Sequence, residues 1–409
     1  MKLSEELQWR GLLYQTTIKD FSIVDENKVV FYHGFDASAP SQTIGNLASM
    51  MLDRVFLRHG HKCIVLAGGA TSLVGDAGGK DTERDLQAAE TIAHNVEKAK
   101  SQLKKIYGQY SFTLVNNIDW TGSISMLDFL RDVGKYYNVG EMIKKDIVVN
   151  RIGEGGSGIS YAEFSYALLQ GNDYLYLFDN YNCTLQLCGA DQWTNCVAGV
   201  ELIRRKRGFE VHVLTNPLII NHVTGKKFGK SESGAVWLDP EMTSPYDFYQ
   251  FWMNTDDIGC REYVKIYTDI MPDEYDTLII QADQDPSGRF VQKYLAYHVT
   301  KLVHGQVAAE SSRETAENLF SKEIDINDSN IPEISVSAHM TTDFKLDLVE
   351  MLAESGTVKS KREARELIDA GAITIGNEKI TMYVISVPEG DLLPALIRIG
   401  KKKYYRIVK

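Results

Sequence analysis

Short apolar runs alternate with amphipathic stretches through the first half of the chain. Apolar runs that end in Gly or polar residues predict buried strands, and a 3.6-residue period between them predicts helices. Alternation of strands and helices in this order predicts an α/β domain with a parallel sheet and helices on both faces. The predicted strands cover residues 29–36, 61–69, 112–120, 183–193 and 211–220, and the predicted helices cover residues 46–58, 82–107 and 195–208.

The pattern changes after a basic, Gly-containing loop. An aromatic-rich stretch with helical period follows, and it predicts a compact helical domain. A polar segment without helical period then predicts a linker. In the last segment, Ser360–Glu363 (SKRE) forms a capping box that opens a basic helix, and Gly371 closes it before short strands. The predicted parts are a catalytic domain at 1–223, a loop and connector at 224–242, a helical domain at 243–322, a linker at 323–342 and a small α+β module at 343–409.

Composition is that of an ordinary globular protein, with 44% hydrophobic and 24% charged residues. No apolar run approaches the roughly 20 residues that span a bilayer, and the N-terminus lacks signal-peptide and transit-peptide character. The sequence therefore predicts a cytoplasmic protein without membrane contact. The five Cys residues are scattered and form no C-x-x-C pair, so they predict buried reduced thiols and neither a disulfide framework nor a metal site.

Charge is distributed unevenly along the chain. The net charge is −11, but the last ten residues carry five positive and no negative side chains. A basic end on an acidic body predicts a local contact with a polyanion, and a solvated tail that keeps the protein soluble is an equal alternative on charge alone.

Two loops have the composition of phosphate-binding elements. Residues 34–51 (GFDASAPSQTIGNLASMM) predict a strand end, a polar loop and a helix start, where Gly residues and a helix N-terminus accommodate phosphate. Residues 226–233 (KKFGKSES) place Lys227 before Gly229 and Lys230 after it, as in a loop that closes over a substrate. Taken alone, residues 34–51 are better explained as an ordinary strand–turn–helix junction, and residues 226–233 have a solvated surface turn as the alternative.

Five motifs in order identify a family. GFD…TIGN, GGATSLVGDAGGK, EFSYALLQGND, LQLCGADQW and KKFGKS resemble the bacterial-type tyrosyl-tRNA synthetases, which are class I aminoacyl-tRNA synthetases. The resemblance covers the whole chain. It implies a Rossmann-like parallel-sheet catalytic domain, an all-α anticodon-side domain and an RNA-binding module like one in a ribosomal protein. It also implies a homodimer, with FLRDVGKYY and ISYAEFSY in the interface region, although those aromatic residues fit a core equally well.

The resemblance further implies the reaction and its substrates. ATP activates L-tyrosine to tyrosyl-adenylate, and tyrosine then passes to the 3′-terminal adenosine of tRNA(Tyr). Mg²⁺ is expected with ATP, but no protein ligand for it is assigned and no resident metal is predicted.

Site residues follow from matching the motifs position by position. The tyrosine-binding residues are Tyr32, Asp76, Tyr166, Gln170, Asp173, Gln186 and Gln192. The ATP-binding residues are His33, Gly34, Asp36, Ser38, Gly45, Gly189, Asp191 and Lys230. The catalytic residues are Thr43, Asn46, Lys80, Arg84, Lys227, Lys230 and Ser231, and the tRNA-binding residues are Lys359, Lys361, Arg362, Arg365, Lys401, Lys402, Lys403 and Arg406. For Lys80 and Arg84 a charged helix start is the alternative, and Asp191 is expected to cap a helix N-terminus as well.

One motif departs from the family. The usual His-x-Gly-His is Thr43-Ile44-Gly45-Asn46 here, so both imidazoles are absent. Asn46 still offers an amide donor, whereas Thr43 offers a single neutral hydroxyl. Loss of one donor aimed at developing charge costs about 10²–10³ in rate, and His33, just upstream, is a candidate to compensate.

The retained pocket and KFGKS loop predict an active enzyme. A non-catalytic RNA-binding paralogue is the main alternative. An enzyme that makes tyrosyl-adenylate for an acceptor other than tRNA is a second one, and the basic helix and tail weigh against it.

Overall fold

A computed structural model gives the fold. It describes residues 1–76, 88–144, 146–153, 155–223, 225, 227–228, 230–231, 234–320, 331–336, 345–376, 378–386, 395–400 and 403–408. The described chain forms two compact units, residues 1–228 with 256–286 and residues 229–255 with 287–409.

The helices and strands follow the predicted alternation in the first half. The strands are β1 Gln15–Thr16, β2 Val30–Phe35, β3 Lys62–Ala67, β4 Phe112–Asn116, β5 Cys183–Gly189, β6 His212–Asn216, β7 Lys230–Ser231, β8 Gly234–Ala235, β9 Glu333–Ser335, β10 Lys345–Asp347, β11 Ile373–Ile375, β12 Glu378–Ile380, β13 Val384–Ser386, β14 Ala395–Ile399 and β15 Lys403–Val408. The helices are α1 Leu3–Arg10, α2 Ser22–Asp25, α3 Ile44–Arg58, α4 Thr71–Val74, α5 Ala89–Tyr107, α6 Ile118–Thr121, α7 Met126–Asp132, α8 Val139–Met142, α9 Asp146–Ile152, α10 Tyr161–Tyr181, α11 Trp193–Arg207, α12 Pro245–Met253, α13 Gly259–Tyr267, α14 Pro272–Gln284, α15 Phe290–His304, α16 Gln306–Phe320, α17 Leu348–Glu354 and α18 Lys361–Asp369.

A six-stranded sheet lies in the first unit, in the order β1-β6-β5-β2-β3-β4. Five strands are parallel, as predicted, and the two-residue β1 adds an antiparallel edge beside β6. Strands β3 and β6 are almost wholly buried, which is expected of a parallel sheet covered on both faces. The strand order reverses between β5 and β2, and ligands bind at such switch points.

Helices α10 and α11 pack closely against each other beside this sheet, because Gly171 of α10 faces Gly199 of α11. A Cβ built on Gly171 would lie 3.4 Å from the Cα of Gly199 and 2.1 Å from Tyr137 Oη. The close approach needs both glycines, since any side chain would push the helices apart. It fixes the face of α10 that is turned towards the sheet.

Helices α13 and α14 belong to the first unit, although the sequence places them in a helical domain at 243–322. The buried guanidinium of Arg10 on α1 explains the difference. It donates to the carbonyl oxygens of Lys265 and Thr268 at 2.6 and 2.8 Å, and to that of Ile270 at 2.8 Å. These carbonyls lie at the end of α13 and just beyond it, so one side chain of α1 holds a segment more than 250 positions away.

The second unit contains the remaining helices and a five-stranded sheet. Helix α12 packs with α15 and α16. The sheet has the order β12-β11-β14-β15-β9, and β9 pairs parallel to β15. The predicted linker at 323–342 therefore includes a sheet strand, which the polar composition of that segment concealed. The predicted cap of α18 is confirmed, since Ser360 Oγ accepts a hydrogen bond from the backbone N–H of Glu363 at 3.2 Å.

Candidate active site

A cavity of about 400 Å³ opens at the carboxyl ends of β2, β3, β5 and β6 in the first unit. Most predicted site residues line it, although they come from five segments of the chain. The predicted tyrosine-binding and ATP-binding residues in its lining are Tyr32, His33, Gly34, Asp36, Ser38, Gly45, Asp76, Tyr166, Gln170, Asp173, Gln186, Gly189, Asp191 and Gln192. Of the predicted catalytic residues, Thr43, Asn46 and Lys227 also line it.

Four predicted catalytic residues are not located in this cavity. Lys80 and Arg84 lie outside the described residues. Lys230 and Ser231 form β7 in the second unit, and their side chains are outside the described part. Their roles therefore stay predictions from the sequence.

Two buried polar side chains, those of Tyr32 and Asp173, line the cavity. Tyr32 is fully buried, and its Oη has no hydrogen-bond partner among the described residues. Asp173 accepts from Asn117 Nδ2 at 2.9 Å and from Trp120 Nε1 at 2.8 Å. Burial raises the pKa of Asp173 to about 7, against the lowering effect of these two hydrogen bonds. An orphaned hydroxyl beside a fixed carboxyl is suited to a ligand that brings its own hydroxyl.

A second carboxylate, that of Asp36, is held by two hydroxyl groups. Tyr166 Oη donates to Asp36 Oδ1 at 3.2 Å, and Thr71 Oγ1 donates to the same oxygen at 3.3 Å. Gly68 permits this approach, because a Cβ there would lie 2.7 Å from Asp36 Oδ1 and 2.5 Å from Thr71 Oγ1. The sequence prediction assigned Tyr166 to tyrosine binding, and the structure connects it to Asp36 as well.

Amide side chains surround a third carboxylate. Gln192 Nε2 donates to Asp76 Oδ2 at 2.8 Å, and Asn195 Nδ2 lies 3.4 Å from Asp76 Oδ1. Gln186 is buried, and its Oε1 has no partner among the described residues. Asp76 and Gln186 therefore present a negative charge and an unpaired acceptor, which suits an ammonium group.

Thr43 and Asn46 bind each other at the start of α3. Asn46 Oδ1 accepts from the Thr43 N–H at 3.0 Å and from Thr43 Oγ1 at 2.8 Å. The helix therefore begins at Ile44, two residues before the predicted start, with Thr43 as its N-cap. These bonds occupy the Thr43 hydroxyl proton and leave the Nδ2 donors of Asn46 unused by the cap.

Asp191 forms an ion pair with Lys227, whose Nζ lies 3.6 Å from Asp191 Oδ2. The expectation that Asp191 caps a helix is wrong. It lies in a 3₁₀ turn between β5 and α11, and Gln192 takes the N-cap position of α11. Because its carboxylate caps no helix, Asp191 presents it to the cavity and to Lys227.

Glycine at positions 34 and 45 is not required by protein packing. A Cβ on Gly34 would meet Leu66 at 3.8 Å, and one on Gly45 would meet Thr43 Oγ1 at 3.4 Å, which are ordinary contact distances. Both glycines line the cavity. We infer that the space they leave open belongs to a ligand.

Several residues of the site were missed by the sequence prediction. Thr71, Asn117 and Trp120 hold the carboxylates of Asp36 and Asp173. Asn117 follows directly after strand β4, so the rule that polar residues at strand ends form the site would have found it. Within the described residues, no cluster of three or more His, Cys, Asp or Glu side chains fits a metal ion, and no helix is long and apolar enough to cross a bilayer.

The predicted tRNA-binding residues lie in the second unit. Lys359, Lys361, Arg362 and Arg365 are exposed on α18 or just before it. Lys361 pairs with Glu350 at 2.5 Å and Arg362 with Glu366 at 2.8 Å. Arg406 pairs with Glu333 across the β15–β9 pair, which gives it a structural contact. The side chains of Lys401, Lys402 and Lys403 are outside the described part.

Two family models together match almost the whole chain. The model described as "tRNA synthetases class I (W and Y)" matches residues 25–321, and the one described as "Tyrosine--tRNA ligase SYY-like C-terminal domain" matches residues 323–407.

Full-length relatives carry the name tyrosine–tRNA ligase. Those of Streptococcus agalactiae and Streptococcus mutans are each 42% identical to this chain, over 99% of both chains. A C-terminally truncated mitochondrial tyrosyl-tRNA synthetase of Aspergillus nidulans has a similar structure, with a TM-score of 0.70 and 30% identity, over 78% of this chain and 94% of that one. The L-tyrosine complex of the Archaeoglobus fulgidus enzyme shares the fold at 14% identity, with a TM-score of 0.55 over 76% and 99% of the two chains.

Proposed function

Because this chain belongs to the class I tyrosyl-tRNA synthetase family, we propose that its cavity activates L-tyrosine with ATP and that the product charges tRNA(Tyr). The choice of tyrosine as the substrate rests on one observation. Tyr32 and Asp173 are two buried polar side chains in the wall of one cavity. A buried site of this kind favours a phenol over a phenyl ring, because the ring without a hydroxyl leaves both groups unpaired.

The remaining groups divide between the two substrates. Asp76 and Gln186, which both line the cavity, supply the negative charge and the acceptor that the tyrosine ammonium needs. Gly34, Gly45 and the N-terminus of α3 form the wall where the nucleotide phosphates are placed, since backbone N–H groups and the helix dipole favour anions. The Asp191 carboxylate is suited to accept hydrogen bonds from ribose hydroxyls.

Activation needs positioning and no general base. The tyrosine carboxylate is already an anion at neutral pH, so it attacks the α-phosphorus of ATP directly. A phosphorus–oxygen bond to the carboxylate forms while the bond to the pyrophosphate oxygen breaks, and pyrophosphate leaves. What the protein supplies is alignment and positive charge near the phosphates. Lys227 is the Lys or Arg side chain among the described lining residues, and it is paired with Asp191.

In the second step, the terminal ribose hydroxyl of tRNA attacks the activated carbonyl, and AMP leaves. We place the tRNA contacts on the exposed basic side of α18. We also propose that Mg²⁺ enters as a complex with ATP. The described residues provide no cluster of metal ligands, so no protein ligand is assigned to the ion and no step depends on one.

A homodimer is part of the proposal. The stretch from α7 to α10 carries apolar side chains that are unusually exposed, and such patches mark interaction surfaces. They are Met126, Leu127, Leu130, Val139, Ile143 and Tyr161, of which Met126 and Leu127 are 73% and 79% exposed. We place the protein in the cytoplasm, because charged tRNA is consumed by translation.

Tyrosine-dependent exchange of labelled pyrophosphate into ATP tests the first step. We expect exchange with tyrosine and none without an amino acid. A folded protein that shows no exchange but binds tRNA would instead support the non-catalytic RNA-binding alternative. Exchange without charging of tRNA would support an adenylate-forming enzyme with another acceptor.

A further inference from the structure

A buried ion pair lies directly behind the nucleotide end of the cavity. His33 on β2 lines the cavity, and its side chain is 12% exposed. On the other side of the ring, His33 Nδ1 lies 2.6 Å from Oδ2 of Asp53 on α3. Asp53 is fully buried, so the contact is shielded from water. One ring nitrogen is thus held inside the protein, and the ring itself faces the cavity.

Asp53 has few other partners. Tyr107 Oη on α5 donates to the same oxygen at 2.5 Å, and Asp53 Oδ1 has no partner among the described residues. Within that part of the chain no Lys or Arg pairs with Asp53. An ionised carboxylate in the interior is costly unless an opposite charge compensates it. Protonated His33 is the cation that the structure offers.

The charge on His33 decides what its second nitrogen does. With Nδ1–H directed at Asp53, a neutral ring has a lone pair on Nε2 and repels an anionic oxygen. A protonated ring has an Nε2–H that donates to the same oxygen. Burial lowers the pKa of His33, but the charge and the hydrogen bond of Asp53 together raise it by more. The pKa of His33 therefore lies above its usual 6.5.

The other groups around the pair favour this state or leave it unchanged. Neighbouring strands place the apolar Val65 and Leu187 beside His33. Cys63 on β3 and Tyr107 on α5 are neutral, because burial and the Asp53 charge raise the pKa of both. Within the described residues, Nε2 of His33 has no hydrogen-bond partner of its own.

We propose that Asp53 is a positioning residue that keeps His33 protonated and oriented, so that His33 Nε2–H donates to an oxygen of the bound nucleotide. Resting on the proposed function, this inference assigns to His33 the imidazole role that the family motif gives to the position of Thr43. Thr43 and Asp53 are joined by one helix, because α3 begins directly after Thr43 and contains Asp53.

Replacing Asp53 by Asn tests the proposal. Asp53→Asn keeps the size and an acceptor for Nδ1–H but removes the charge that favours the protonated ring, so the protonated fraction of His33 falls. At the pH where wild-type exchange is fastest, we expect kcat for tyrosine-dependent pyrophosphate exchange to fall about 10²-fold, with the KM for tyrosine unchanged. Because burial alone lowers the pKa of His33, the ring of the variant is protonated again only below pH 6.5, and we expect activity to recover there. Wild-type activity should persist to higher pH and decline only as His33 itself loses its proton.

A second variant carries the test if Asp53→Asn does not fold. His33→Gln retains an amide donor but no charge, so it should lose a similar factor in kcat without recovery at low pH. His61→Gln is the matched control, because His61 is also buried but lies outside the cavity lining, and its pH profile should equal that of wild type. Adding Thr43→His to Asp53→Asn should restore kcat at least tenfold.

The outcomes separate this inference from the proposed function. Wild-type protein without tyrosine-dependent exchange contradicts the function itself. Active wild type, together with a folded Asp53→Asn or His33→Gln variant that has wild-type kcat and pH profile, overturns the inference alone. Loss of kcat in both variants, with recovery at low pH only in Asp53→Asn, supports it. Nitrogen-15 NMR of wild type gives an independent reading, since the His33 pKa should lie above 6.5 and fall in Asp53→Asn.

Discussion

Asp173 is the side chain on which the proposed recognition of tyrosine depends most. Asn117 and Trp120 hold both carboxyl oxygens, and burial raises its pKa to about 7. Near neutral pH both the ionised and the neutral form of Asp173 are therefore populated. The ionised form accepts a hydrogen bond from a phenol better than the neutral acid does. Tyr32 Oη completes the pair.

The pKa of Asp173 predicts an acid limb in the rate profile. We expect kcat/KM for tyrosine to fall as the pH drops below about 7, because protonation removes the acceptor. The free energy of unfolding depends on pH in the opposite direction. An unfolded Asp, near 3.8, ionises first, so the free energy of unfolding should decrease as the pH rises from about 4 to 7. Asp173→Asn should lose both effects, and a persistent acid limb in that variant would assign it to another group.

The cavity residues that lie in family motifs were predictable from the sequence, and the partners that hold them were not. Tyr32, Asp36 and Asp173 lie in such motifs, and the resemblance assigns them to one site. Their partners come from distant elements, as Asn117 does, 56 positions before Asp173. The ion pair of His33 with Asp53 was missed because a buried carboxylate in mid-helix carries no motif.

At the scale of elements, α1 anchors α13 through one buried side chain. Arg10 is 1% exposed, and it spreads its donors over Glu6 and three backbone carbonyls. Such a group is favourable only while its partners remain. Periodicity predicts that α13 is a helix, but it does not say against which unit the helix packs, and for that reason the predicted domain boundary and the compact units differ.

Replacing Arg10 by Met should therefore destabilise the first unit strongly. The change leaves the three carbonyl oxygens without this donor and removes one of the partners of buried Glu6, which keeps Arg58 and His59. We expect the free energy of unfolding to fall by about 3–5 kcal/mol. Arg131→Met is the matched control, because Arg131 is 65% exposed and its pairing with Asp132 contributes little. Urea unfolding followed by circular dichroism gives both values. Equal stability losses in the two variants would contradict the anchoring role.

At the scale of the whole molecule, the proposed function assigns adenylation and tRNA binding to different parts of the chain. Every lining residue of the cavity lies in the first unit, whereas the exposed basic residues of α18 lie in the second. The parallel α/β sheet and the basic module were predictable from periodicity and charge. The role of β9 was not, because three residues in a polar segment form a strand only through pairing with β15.

The position of β9 decides where a truncation is informative. A chain that ends near residue 338 would keep β9 without its sheet, so the cut belongs after Phe320, at the end of α16. We expect the shortened protein to retain tyrosine-dependent exchange and to lose charging of tRNA about 10²-fold or more, because the phosphate contacts are gone. Charging at the full-length rate would contradict the placement of the tRNA contacts.

A full-length variant separates loss of contacts from loss of the module. Lys359→Glu with Arg365→Glu reverses two exposed charges of the α18 region and should weaken charging while leaving exchange unchanged. The dependence of charging on salt should also become less steep. Glu97→Gln, at an exposed position of α5, is the control, and it should alter neither reaction.

The most direct test of the central claim is the ratio of kcat/KM for tyrosine to that for phenylalanine in pyrophosphate exchange. We predict a ratio of about 10⁴–10⁵, a range that tyrosyl-tRNA synthetase itself exemplifies, and a collapse towards unity when Tyr32→Phe is combined with Asp173→Asn. A wild-type ratio near that of the double variant would show that the cavity does not recognise the phenolic hydroxyl, and the assignment of its two substrates would then be wrong.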